Sequence, residues 1–109
     1  MAYDAGLAER IRAMLDERAG MVEKKMFGGL SFLLNGNMAV GVIKDELCVR
    51  VDPERFEDLL RQPCARIFDF TGKPMKGWLM VGADGLAEDN ELADWIEEGT
   101  AYAGSLPPK

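Results

Sequence analysis

The sequence predicts a two-layer α+β domain in which an antiparallel sheet carries its helices on one face. Three observations lead there. Apolar residues recur at helical spacing near both ends of the chain, the period falls to two between them, and Asn35-Gly36 joins two alternating runs as a tight hairpin would. The 109 residues, 48% hydrophobic and 29% charged, suffice for one domain and not for two. A chain of this size buries roughly two thirds of its unfolded surface, so its core needs no metal or disulfide.

Leu7, Ile11, Met14 and Leu15 share one face of a first helix, which Gly20 stops. From Val22 the chain alternates, is interrupted at Gly28-Gly29 and resumes through Leu30, Phe32 and Leu34, the pattern of one bulged or kinked strand. After Asn35-Gly36, a strand over 37–43 alternates Met38, Val40 and Val42 against Ala39, Gly41 and Ile43. Lys44-Asp45 turns the chain into a third strand through Leu47, Val49 and Val51. Asp52-Pro53 reads as an N-cap with proline at the first helical position, and Phe56, Leu59 and Leu60 give that short helix an apolar face until Pro63. Strand composition returns from Ala65 to Phe70 and, beyond the turn Thr71-Gly72-Lys73-Pro74, from Met75 to Val81. Asp84-Gly85 breaks the chain, and Asp89 or Asn90 caps a last helix with Leu92, Trp95 and Ile96 on one face and Gly99 weakening its middle. The order is α-β(3)-α-β(2)-α, with a core over about 5–103 and a frayed tail over 104–109.

Alternation assigns Leu33, Ala39, Gly41, Cys48, Arg50, Phe68, Phe70, Trp78 and Met80 to the sheet face away from the helices, too apolar a set for plain solvent. Phe68, Phe70, Trp78 and Met80 are therefore the expected interface anchors, with a homodimer as the expected assembly. Trp95 belongs to the core by its helical spacing, whereas Trp78 reads equally well as core or interface.

The chain contains no histidine, which removes Ser-His-Asp and Cys-His catalysis and the commonest general base. Cys48 and Cys64 fall in segments that read as strands, and reduced core thiols are expected. Only Arg50 is a nearby cation on the face of Cys48, so nothing there activates a nucleophile. The acids from Glu88 to Glu98 lack the calcium-loop pattern and read as a solvated helical face. No catalytic residue, metal or cofactor is expected.

The net charge of −6 is unevenly spread: residues 1–25 hold five acids and five bases, residues 26–82 seven of each, and residues 83–109 seven acids against Lys109. No basic excess exists to neutralise phosphates, which argues against direct nucleic-acid binding. Lys24-Lys25-Met26-Phe27-Gly28-Gly29 has two readings, a structural bulge or an anion nest in which Lys25, Gly28 and Gly29 act with Lys76. Lys73, Lys76 and Arg50 read as solvated edge charges or as a small basic site. No run of eighteen apolar residues and no N-terminal basic region with an apolar block is present, so a cytoplasmic location without membrane contact is expected.

Lys25-Met26-Phe27-Gly28-Gly29, the run from Leu30 to Asn37 and Leu47-Cys48-Val49-Arg50-Val51-Asp52 together resemble the N-terminal domain of the TfoX/Sxy family. Lys73-Pro74-Met75-Lys76-Gly77-Trp78 is similar to the family's closing hairpin, and Leu92-Ala93-Asp94-Trp95 to its last helix, so the resemblance covers about residues 5–103. It implies an α-β(3)-α-β(2)-α fold like that of secretion-chaperone domains. The family's named members are regulators of natural competence that act with the cAMP receptor protein at promoters, which implies regulation through a protein partner and no enzymatic activity. Those regulators carry a second, helical module, so the resemblance here is to a stand-alone N-terminal domain.

Overall fold

A computed structural model describes residues 3–15, 18–26, 28–69 and 75–108, with the backbone alone at Met26 and Met75. Helix α1 spans Ala5–Leu15, and its first turn is capped by Asp4, whose Oδ1 accepts from the Leu7 amide at 3.1 Å. Strands β1 (Met21–Met26), β2 (Gly29–Leu34), β3 (Asn37–Ile43) and β4 (Glu46–Arg50) follow as consecutive antiparallel hairpins. Helix α2 (Phe56–Leu60) leads to β5 (Ala65–Phe68) and β6 (Met75–Val81), and a short 3-10 turn, Ala83–Leu86, precedes α3 (Asp89–Ser105). The sheet order is β1-β2-β3-β4-β6-β5, every pair antiparallel, so β6 returns to lie beside β4 and β5 takes the edge.

The two-layer α+β architecture with its antiparallel sheet is the one the sequence predicts. One expected strand is two. Val22 to Leu34 is not a single kinked strand, because Met26 pairs with Gly29 and the chain doubles back between them. Gly28 adopts a φ of +74°, and a Cβ on Gly29 would stand 2.0 Å from the Val42 carbonyl oxygen, so both glycines are required by backbone geometry. Phe27-Gly28 lacks the Asn-Gly signature of a two-residue hairpin, which Asn35-Gly36 carries and fulfils with φ of 53° and 86°.

The core lies between the sheet and the helices. Leu7, Ile11 and Leu15 of α1, Leu92, Trp95 and Ile96 of α3, and Phe56 and Leu59 of α2 bury against Leu30, Phe32, Val40, Val42, Leu47, Val49, Leu79 and Val81. Ion pairs hold the helices on at the rim: Arg10 with Asp89 at 3.0 Å, Arg18 with Glu97 at 3.6 Å and Arg55 with Glu98 at 2.6 Å. Asp89 is thus a partner of Arg10 and the first helical residue, not the side-chain cap the sequence predicts.

Simple alternation fails in β3. Phe32 pairs with Val40 and Leu33 with Met38, which leaves Ala39 as an extra residue, a bulge. Met38 consequently joins the far face with Cys48, Phe68 and Met80, while Ala39 turns to the helix side and packs against Ala103 of α3. Gly99 of α3 seats over this bulge, where a Cβ would come 2.5 Å from the Ala39 oxygen and 2.8 Å from Val40 Cγ1. Helix propensity alone makes Gly99→Ala stabilising by about 1 kcal/mol. Overpacking against a rigid strand costs about 1–3 kcal/mol, so urea unfolding of Gly99→Ala is expected to show a net loss of up to about 2 kcal/mol in place of the gain.

Candidate functional site

The sheet face away from the helices is apolar yet largely closed. Met38, Cys48, Phe68 and Met80 pack together, flanked by half-buried Leu33, Ile43 and Trp78. Phe68 is 4% and Met80 5% exposed, so neither is the exposed anchor that strand parity suggests: the face buries them within the chain itself. Phe70 lies outside the described residues. Trp78 keeps part of its surface, with its ring 6.3 Å from that of Phe68 and tilted at 41°.

Trp78, in the middle of β6, and Arg50, the last residue of β4, are cross-strand partners. The Arg50 guanidinium carbon stands 5.4 Å from the Trp78 ring centroid and 5.4 Å from that of Tyr102, in the last part of α3, so one cation is gripped by two aromatic rings. Its place beside the C-terminal turns of a helix is also electrostatically favourable. The other six arginines all reach a carboxylate: Arg12 binds Glu9 and Glu23, Arg61 binds Asp58, Arg66 binds Glu46, and Arg10, Arg18 and Arg55 make the rim pairs above. Arg50 has no such partner among the described residues. Sequence reading puts Arg50 and Trp78 on one face but misses Tyr102, since only the seat of α3 on β3 brings that ring round.

The residues of the expected anion nest do not converge. Lys25 lies in a cross-strand row with Leu30, Val42, Leu47 and Val81, and Lys76 sits five residues further along β6 from Val81. Four inter-strand steps alone separate their strands by about 19 Å, and the offset along β6 adds to it. One ligand cannot be shared between Lys25 and Lys76, and Gly28-Gly29 is explained by the hairpin and by the approach of Val42. Lys73 lies outside the described residues.

The TfoX N-terminal domain model matches residues 13–103. The chain belongs to the TfoX N-terminal domain family. No match was found among curated proteins or among solved structures. The span matched to the TfoX N-terminal domain takes in all six strands and the Arg50, Trp78 and Tyr102 cluster.

Elsewhere the surface offers shallow grooves. One of about 360 Å³ between α1 and β1 is lined by Arg12, Arg18, Met21, Val22 and Phe32, but its cations are engaged, and the hydrogen bond from Arg12 holds Glu23 below the usual carboxylate range. Another of about 330 Å³ between α2 and α3 is lined by Glu91, Asp94, Glu97, Glu98 and Arg55. No group of three or more acids or cysteines arranged to hold a metal occurs among the described residues, and no helix among them is long and apolar enough to cross a membrane.

The cysteines differ from each other. Cys64 is exposed at the turn before β5 with a φ of 70°, not the core strand thiol the sequence suggests. Cys48 is buried in β4, and desolvation pushes its thiol up to about 12 from 9.0, the opposite of an activated nucleophile. A raised pKa in the folded state means that this group supports folding below pH 9 and that the support is lost as pH rises from 9 towards 12. Between pH 8 and pH 10 the wild-type chain is expected to lose about 1.4 kcal/mol more stability than Cys48→Ala, read by urea unfolding at each pH. A thiol reagent at pH 8 is expected to label Cys64 in the native protein and Cys48 only after unfolding.

Proposed function

We propose that this chain is a non-enzymatic cytoplasmic module that works by binding protein, a regulator that reaches transcription through a protein partner. The observation that carries the reading is Arg50 lying over both the Trp78 and the Tyr102 rings at the margin of the far sheet face. Trp, Tyr and Arg dominate the energetics of protein interfaces because they combine large rigid contact area with directed polar groups. Membership of the TfoX N-terminal domain family supports a regulatory role, and the balance of charge over residues 1–82 supports protein over nucleic acid as the partner.

A second copy of the chain is the occupant proposed for this margin, since a two-fold contact uses one patch twice. Light scattering over a concentration series is expected to give the mass of a dimer, unchanged by sheared DNA at low and moderate salt. Trp78→Glu is expected to give a monomer with an unaltered circular dichroism spectrum. A monomer that binds DNA and releases it steeply as salt rises overturns the reading.

A further inference from the structure

We infer that Arg50 is a receptor for a carboxylate, supplied by an aspartate or glutamate side chain of the bound partner; the inference deepens the binding role proposed above and rests on it. The guanidinium carbon lies over two aromatic rings, 5.4 Å from each centroid, and ring faces offer its N–H donors no carboxylate oxygen. The edges of a guanidinium carry N–H donors in a planar fork whose spacing matches the two oxygens of a carboxylate. Arg50 is half-buried and pairs with no carboxylate among the described residues, and desolvating a cation without an anionic acceptor is unfavourable. Even Arg61, whose side chain is 79% exposed, reaches an acid within the chain.

The surroundings favour a single negative group. The last acid of α3 is Glu98, and residues 99–108 contain none, so the end of the helix that bears Tyr102 lacks the acidic excess found further back. Lys76 is exposed two residues before Trp78. Asp52, the acid nearest Arg50 in sequence, accepts the Glu54 amide through Oδ1 at 2.9 Å. The net charge of −6 repels a polyphosphate on approach more strongly than it repels a single carboxylate.

The test follows the arginine Nε–Hε and tryptophan indole N–H resonances of the nitrogen-15-labelled chain, diluted below the concentration at which light scattering shows self-association, during titration with acetyl-Gly-Glu-Gly-amide, with acetate and with inorganic phosphate. The peptide is expected to shift Arg50 and Trp78 saturably in the millimolar range while the other six arginines stay still, with acetate and phosphate weaker. Arg50→Gln is expected to abolish the response. Arg50→Lys, which keeps the charge and the ring contacts but not the fork, is expected to weaken it at least about tenfold, whereas a merely structural cation would be rescued by lysine. Absence of a saturable shift at Arg50, equal shifts at all arginines, or a lysine variant that binds like the wild type overturns the inference. A response to acetate or phosphate without one to the peptide overturns the side chain as its source. A silent Arg50 in a chain that dimerises removes only this inference, while a monomer whose Arg50 responds removes only the self-association.

Discussion

Helix α3 can lie on the sheet as it does because a missing side chain meets an extra residue. Gly99 leaves room for the Ala39 carbonyl and the Val40 methyl, and the bulge at Ala39 tips that stretch of β3 towards the helix. Any larger residue at 99 would lift α3 from the strand. The contact lies well inside α3, so it sets how this 17-residue helix lies on the sheet.

From that seat the rest of the far end follows. Ala103 packs beside Ala39 and Leu34, and Asn37, 2% exposed at the start of β3, donates to the Pro107 carbonyl at 3.0 Å. The segment that follows α3 is thereby tied to the β2–β3 hairpin. Tyr102 is delivered within reach of Arg50 from the helix layer, while Trp78 reaches it from across the sheet. The cation and its two rings come from three distant parts of the chain, which makes its placement a property of the assembled fold. The same bulge carries Met38 to the far face and helps to close the apolar cluster there.

Much of this was legible in the sequence where local chemistry decides. Asn35-Gly36 announced its hairpin, Leu92, Trp95 and Ile96 announced the buried face of α3, and the class of fold followed from period and punctuation. The rest depends on tertiary contact. Phe27-Gly28 carries no recognised turn signature, and the need for glycine at 29 becomes visible only when Val42 is brought beside it. The bulge at Ala39 leaves no mark in a run of small and apolar residues, so alternation misassigns Met38 and Ala39. Parity placed Phe68 and Met80 on the correct face but could not show that they bury each other. Lys25 and Lys76 illustrate the converse, since their shared charge says nothing about the strands that come between them.

The proposed binding role rests on Arg50 lying over both the Trp78 and Tyr102 rings in solution. Proton shifts and nuclear Overhauser contacts of the Arg50 side chain measure this directly. Stacking predicts contacts to both the Trp78 and Tyr102 rings and side-chain protons shifted upfield of those of the other six arginines. Arg50 protons that coincide with those of the exposed arginines, without contacts to either ring, would contradict it.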